Sequence, residues 1–168
     1  MISPELLRRY PVFVGLSHEN LVTLANTAKE LSAEEGHMFF YEGEELHEMF
    51  IVMEGAVGIV VEVPAQNVEH SVADQLTSGY ETEHVVLSAV GPGEVFGWSG
   101  LVPPYESMAG AKALTSCRVI VFDCLALLEA FKADCRFGFL MMEKTAQVIR
   151  GRLRDQRMES LAQVVTAA

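Results

Sequence analysis

Between Gly36 and Asp123 the sequence alternates short apolar runs with turns rich in glycine, proline and acidic residues. The apolar runs are HMFFY, MFIVM, VGIVVEV, VVLSAV, VFGW and CRVIVFD. Runs of four to seven residues separated by such turns are typical of an all-β sandwich or barrel. Two of them, VGIVVEV and CRVIVFD, also alternate with the period of two that marks a strand. The middle of the chain is therefore predicted to be a β-sandwich or barrel.

Helical patterns precede this segment. Ser3 and Pro4 are residue types that favour the N-cap and the first helical position, which predicts a short helix from Pro4 to Arg9. Ser17 is the predicted N-cap of a second helix, in which apolar residues recur at helical spacing. We expect this second helix to end near Leu31.

Helical patterns also follow the β segment. A short helix is predicted from Cys124 to Lys132, and Asp134 is the predicted cap of a long helix that runs to about Val165. Its ~32 residues would span about 48 Å, which is longer than the body of a domain of this size. A stripe of apolar residues runs along it, formed by Met142, Ala146, Ile149 and Leu153. Such a helix packs on its own barrel or pairs with a partner helix.

The length of 168 residues corresponds to a single domain. We divide it into N-terminal helices in 1–35, the β-sandwich in 36–123 and C-terminal helices in 124–165. Residues 64–83 are polar without a clear period, and we predict a long connection between two strands, with a helical turn near Val72–Leu76.

Composition excludes several classes of protein. The chain has 12 Lys+Arg against 23 Asp+Glu, a formal charge of −11, which disfavours nucleic acids and anionic membranes as partners. No apolar run approaches the ~18 residues of a membrane span, and no signal peptide is evident, so we expect a cytoplasmic protein. The three cysteines contain no CxxC motif, and the five histidines form neither H-x-H nor H-E-x-x-H. No metal site is predicted.

The order of these elements resembles the cyclic nucleotide-binding domain of the catabolite activator protein family. The segments that carry the resemblance are LLRRYPVFVGLSHENLVTLANTAKEL, GHMFFYEGEELHEMFIVMEGAVGIV and VGPGEVFGWSGL. The resemblance implies a mainly β fold, a double-stranded β-helix (jelly roll) with N-terminal helices and a long C-terminal helix. It also implies a non-enzymatic regulatory sensor module.

The third segment resembles the start of the family's phosphate-binding cassette. In the family a short helix presents backbone N–H groups to the cyclic phosphate, a Glu takes the ribose hydroxyl and an Arg pairs with the phosphate. Here Trp98 stands at the Glu position and Ser107 at the Arg position. A register shifted by one residue gives Glu106 or Met108, so none supplies an Arg. The resemblance places the ligand pocket at Phe96, Gly97, Trp98, Ser99, Gly100, Leu101, Ser107, Met108 and Ala109, with Arg152 near the base-contacting position of the long helix.

Loss of both charged contacts would cost roughly two to four decades in affinity. We therefore expect cyclic AMP and cyclic GMP to bind more weakly than ~10 µM. Two functions remain open. In one, the pocket binds a cyclic nucleotide weakly or takes another small ligand, and binding biases the long helix. In the other, Trp98 plugs the pocket and the domain is a dimerisation or docking module for a partner protein. A cupin-like enzyme is disfavoured because metal-ligand spacing is lacking.

The resemblance also bears on assembly and on DNA. Transcription factors of the family carry a winged helix-turn-helix of roughly 70 further residues, whereas three residues follow the predicted long helix here. If the chain is complete, we expect no DNA binding by this protein alone. The matching helix of the family pairs with its twin about a two-fold axis. A homodimer through the long helix is therefore predicted.

Overall fold

The computed structural model describes residues 2–64 and 82–166. Within them the chain forms two compact units, a helical unit (Met1–Ala28 and Leu125–Ala168) and a β-unit (Lys29–Cys124). Most of the predicted connection 64–83, including the helical turn proposed near Val72–Leu76, lies outside the described residues. The prediction of a single domain stays a prediction.

Eight strands form two four-stranded sheets in the part of the chain that is described. The sheet orders are β1-β8-β3-β6 and β2-β7-β4-β5, with antiparallel pairing between β3 and β8 and between β4 and β5. This two-layer arrangement confirms the predicted jelly roll. The strands are β1 (Ala28–Ala33), β2 (Met38–Phe40), β3 (Glu48–Glu54), β4 (Val57–Pro64), β5 (Thr82–Val90), β6 (Val95–Phe96), β7 (Gly110–Ala113) and β8 (Cys117–Asp123).

The core of the β-unit is built from the facing sides of the two sheets. Phe50 of β3 stacks on Phe96 of β6 with ring centroids 4.7 Å apart, and Phe40 of β2 lies 6.0 Å from Phe50. Smaller apolar side chains complete this buried cluster, among them Val52, Val57, Val90, Ala111, Ala113, Val119 and Val121. The apolar runs of the sequence therefore supply the core from both sheets.

The turn between β3 and β4 requires its glycine. Gly55 has φ of +85°, and a Cβ there would lie 2.5 Å from the carbonyl oxygen of Ser116. Any other residue would meet both the left-handed backbone penalty and this contact.

The N-terminal helices are shorter than predicted. The first, α1, covers Pro4–Leu7 rather than reaching Arg9, and a 3₁₀ helix follows at Pro11–Phe13. The second, α2, covers His18–Asn26 and begins with a capping box between Ser17 and Asn20. The helix predicted to reach Leu31, and with it the assignment of 1–35 to helices, is wrong, because Ala28–Ala33 is β1.

The reason for this error lies in pairing with a distant strand. The residues of β1 include Ala28, Lys29, Glu30 and Leu31, all good or fair helix formers. They pair instead with β8, where the Nε of Arg118 donates to the carboxylate of Glu30 at 2.9 Å. Tertiary pairing overrides local propensity, as it often does in short segments.

The C-terminal helices confirm the prediction closely. Helix α3 covers Cys124–Ala133, and α4 covers Cys135–Thr166, which is 32 residues. The Oδ1 of Asp134 accepts hydrogen bonds from the backbone N–H groups of Arg136 and Phe137, so Asp134 caps α4 as predicted.

The buried side of α4 differs from the predicted stripe. Phe137, Met141 and Thr145, spaced by four residues, are the buried side chains, and Phe137 packs edge-on against Phe131 of α3 at 5.0 Å. In the predicted stripe Met142 and Ile149 are half-buried, while Ala146 and Leu153 are exposed. One side of α4 is therefore buried, and the predicted stripe is half-buried or exposed.

Candidate functional site

A cleft of about 450 Å³ lies in the β-unit. Its size is within the range typical of small-molecule sites. Three segments line it: the loop after β2, a 3₁₀ helix at Trp98–Leu101, and the chain between that helix and β7. The lining residues are Glu42, Gly43, Trp98, Ser99, Val102, Pro103, Pro104, Glu106, Ser107 and Met108.

Four of the predicted pocket residues line this cleft, namely Trp98, Ser99, Ser107 and Met108. The other five predicted pocket residues are not among the described lining residues, namely Phe96, Gly97, Gly100, Leu101 and Ala109. Arg152, the predicted base contact, is half-buried on α4 of the helical unit, whereas the described lining comes from the β-unit alone.

The predicted residues that do not line the cleft hold the 3₁₀ helix against β3. Phe96 and Leu101 are buried. A Cβ at Gly97, which has φ of +72°, would lie 2.9 Å from the Phe50 ring, and a Cβ at Gly100 would lie 2.8 Å from the Sγ of Cys124. These two glycines allow the approach that places Trp98 at the cleft.

Ser107 occupies the position expected for the family's Arg, and its polar groups are already bonded within the protein. Its Oγ donates to the Tyr41 carbonyl at 2.5 Å, and its N–H donates to the Glu44 carbonyl at 2.9 Å. Its own carbonyl accepts from the Gly43 N–H at 2.8 Å. Ser107 therefore joins two lining segments, and its hydroxyl proton and its amide proton are both used in these hydrogen bonds.

Trp98 is the only tryptophan in the chain and is half-buried. It lies at the start of the 3₁₀ helix, at the position expected for the family's Glu. Trp98 lines the cleft of about 450 Å³.

The cleft is acidic. Glu42 and Glu106 line it and are exposed, and no lysine or arginine occurs among its lining residues. The Glu106 carboxylate lies beside the Gly43 turn, since a Cβ built on Gly43 would be 4.0 Å from its Oε1. Within 2–64 and 82–166, neither carboxylate has an ion-pair partner.

Lys112 and Arg118, two of the three cationic residues of the β-unit, are not among the described lining residues of the cleft. Lys112 lines a separate cavity of about 230 Å³ together with Glu35 and His84. Arg118 forms ion pairs with Glu30 and Glu54. The charged residues of the described lining are therefore the two glutamates.

The sequence did not indicate Glu42, Gly43, Val102, Pro103 and Pro104 as lining residues. The acidic turn Glu42-Gly43-Glu44-Glu45 was the available signal. It looked like ordinary surface charge because nothing local shows that this turn pairs with the segment around Ser107. The isolated β-bridge between Glu45 and Glu106 is the long-range contact that brings them together.

Two of the three free cysteines, Cys117 and Cys124, are buried, whereas Cys135 is exposed. Burial raises the pKa of the Cys117 thiol, and burial raises the pKa of Cys124 to about 12 with help from Asp123 and Glu48. Both remain protonated at neutral pH and are poor nucleophiles. No group of three or more His, Cys, Asp or Glu residues that could hold a metal ion occurs in the described segments.

The chain has the jelly roll, the helices before and after it in the sequence, and the short 3₁₀ helix beside a cleft that the resemblance predicted. The family model of the cyclic nucleotide-binding domain matches residues 30–134, and the chain belongs to this family. No curated protein sequence matches the chain. In the described residues, no helix has the length and apolar character needed to cross a membrane.

Solved structures agree with this assignment. A protein of Geobacter metallireducens GS-15 that is named for cyclic-nucleotide binding is 27% identical, with a TM-score of 0.73, over 91% of this chain and 99% of its own. A cyclic nucleotide-binding domain from Methylobacillus flagellatus KT is 16% identical, with a TM-score of 0.72, over 95% and 80%. The Thermus thermophilus catabolite activator protein is 21% identical, with a TM-score of 0.61, over 92% of this chain and 63% of its own. The last two likenesses show the fold.

Proposed function

We propose that this protein is a cytoplasmic, non-enzymatic regulatory sensor module whose cleft binds cyclic AMP and cyclic GMP more weakly than about 10 µM. Family membership supports the sensor role. The observation that carries the weak affinity is the cleft lining, in which two carboxylates and no cation face the space where the resemblance expects a phosphate.

Ser107 and Trp98 account for the expected loss of affinity. A charge-assisted hydrogen bond contributes about 1.5–3 kcal/mol, and replacing the family's Arg by Ser107 removes one or two of them. The hydroxyl cannot substitute, because its single proton is donated to Tyr41. Trp98 has no carboxylate for a ribose hydroxyl, and Glu106 adds repulsion toward a phosphate.

In the described lining neither serine hydroxyl is hydrogen-bonded to a base, which supports a non-enzymatic role. The lining offers one serine hydroxyl bonded to a carbonyl, a second serine, and two carboxylates on separate segments. A nucleophile needs a base within hydrogen-bonding distance, and no histidine or lysine lines the cleft as described.

Isothermal titration calorimetry with cyclic AMP and cyclic GMP tests this proposal. We expect no saturable heat below about 10 µM nucleotide, and only weak binding above that concentration. A dissociation constant below 1 µM for either nucleotide would contradict the proposal, since another residue would then be holding the phosphate. Thermal unfolding of the same sample shows whether the protein is folded.

We further propose that α4 pairs two copies of the chain about a two-fold axis. The half-buried Met142 and Ile149 and the exposed Leu153 support this, because they leave an apolar stripe beside the buried side of α4. Exposed apolar residues continue toward the end of the helix at Met158, Leu161, Val164 and Val165. In this arrangement the sensor's ligand would act by biasing α4.

A further inference from the structure

We propose that the cleft selects organic cations that carry an aromatic or apolar body, and that it disfavours anions. The inference rests on the proposed function only in taking this cleft as the ligand site of the sensor. The proposed ligand is a cation, whereas membership of the family suggests an anion.

Five donors around the cleft are already used within the protein, whereas the Ser99 hydroxyl, which also lines it, makes no such bond among the described residues. An anion needs N–H or O–H donors that are free to point at it. The Gly43 N–H, the Ser107 N–H and the Ser107 hydroxyl all donate within the protein, at 2.8, 2.9 and 2.5 Å. The Gly100 and Val102 N–H groups donate to Gly97 and Ser99 within the 3₁₀ helix.

The negative charge of the cleft and of the β-unit favours a cationic ligand. Glu42 and Glu106 line the cleft from two segments that the Gly43–Ser107 hydrogen bond joins, so a bound group lies near two carboxylates. The residues of the β-unit, Lys29–Cys124, include 16 Asp+Glu and 3 Lys+Arg, a formal charge of −13. This field attracts cations toward the cleft and repels anions.

The apolar part of the lining favours a ligand with an aromatic or apolar body. Val102, Pro103, Pro104 and Met108 supply apolar surface, and Trp98 supplies a large aromatic ring that is half open to the cleft. Tryptophan is the best aromatic partner for a cation within about 6 Å of its ring. A weakly hydrated ammonium on an aromatic or aliphatic body therefore matches both the carboxylates and the ring, whereas a small inorganic cation matches the carboxylates alone.

Trp98 makes the test direct, because all tryptophan fluorescence of the chain comes from the cleft. The first measurement compares quenching by caesium and by iodide, each relative to N-acetyltryptophanamide. We expect a higher caesium-to-iodide ratio for the protein than for the free indole. We expect Glu42→Gln/Glu106→Gln to lower the ratio and Glu83→Gln, on exposed β5 away from the cleft lining, to leave it unchanged. A ratio equal to that of the free indole would overturn the inference.

The second measurement titrates Trp98 fluorescence with benzyltrimethylammonium and with benzylphosphonate, which share a ring and differ in charge. We expect saturable change with the ammonium only. Glu106→Gln should weaken its binding about fivefold, the effect of one unit charge near 4 Å in a water-like medium, and Glu83→Gln should not. Equal or tighter binding of the phosphonate, or no saturable change with the ammonium, would overturn the inference.

The two proposals fail separately. Sub-micromolar binding of cyclic AMP or cyclic GMP would overturn the proposed function, whatever the ammonium probe does. Weak binding of both nucleotides, together with a phosphonate that binds better than the ammonium, would overturn the cation selectivity and leave the sensor role standing.

Discussion

At the scale of single residues, the structure distinguishes the neighbours Ser107 and Met108, which the sequence left as alternative positions in the predicted pocket. Ser107 is 4% exposed and uses its hydroxyl and its N–H inside the protein, whereas Met108 is 70% exposed and lines the cleft. A long cationic side chain would overpack position 107. At position 108 it would have room to reach a bound ligand.

We therefore expect Met108→Arg to tighten cyclic AMP binding by about 10- to 100-fold, the effect of one charge-assisted hydrogen bond of roughly 1.5–3 kcal/mol. Calorimetry measures the change. The exposure of Met108 predicts a change in the free energy of unfolding within about 0.5 kcal/mol.

Met108→Gln is the matched control, because it adds a polar side chain of similar length without charge. It should leave cyclic AMP affinity within about twofold of wild type. An equal gain in both variants, or no gain with Arg, would mean that position 108 does not face the phosphate.

At the scale of elements, the sequence predicted those parts of the fold that local patterns specify. The period-two runs became β4 and β8, and the Asp134 cap and the end of α4 were correct to within about a residue. The errors occur where distant segments pair. Ala28–Ala33 is a strand because it meets β8, and Glu42 lines the cleft because its turn meets the segment around Ser107.

Pairing between distant segments also explains why the sequence indicated only part of the candidate site. Trp98 of the motif VFGWSGL lines the cleft, and the glycines that seat the 3₁₀ helix are visible in the sequence. The direction of each side chain after Leu101 depends on cross-loop hydrogen bonds, such as that from the Leu46 N–H to the Tyr105 carbonyl at 2.6 Å. No local pattern encodes such a bond.

For α4 we expect Leu153→Asp to convert a homodimer into a monomer. The substitution would bury a charge in the helix pair at a cost of several kcal/mol, or at least about 100-fold in the dimer dissociation constant. Leu153 is 48% exposed within one chain, so the fold of the chain itself should survive. Light scattering at about 50 µM chain measures the mass of both proteins.

The control is Gln147→Asp, an exposed α4 position away from the Met142–Leu153 stripe. It introduces the same charge on the same helix and should stay dimeric. A wild type that runs as a monomer, or a Leu153→Asp protein that remains a dimer, would show that α4 is not the interface.

At the scale of the whole molecule, charge is divided between the two units. The β-unit carries −13, while residues 1–28 and 125–168 together have 9 Lys+Arg and 7 Asp+Glu, a formal charge of +2. Four arginines lie close together on α4, at 150, 152, 154 and 157. This cluster is the place where contact with a phosphate backbone would begin, although the net charge of −11 opposes it.

We expect this chain to show no measurable binding to duplex DNA at about 150 mM salt. Non-specific binding draws its free energy from counterions released by several Lys or Arg contacts, and the slope with salt scales with their number. Four arginines on one helix cannot all face one backbone, and the field of the β-unit repels it. Anisotropy of a labelled duplex with micromolar protein measures this.

A saturable rise at that salt would contradict the prediction. Its loss in Arg150→Gln/Arg154→Gln, but not in Arg8→Gln/Arg9→Gln of the N-terminal segment, would assign the contact to α4.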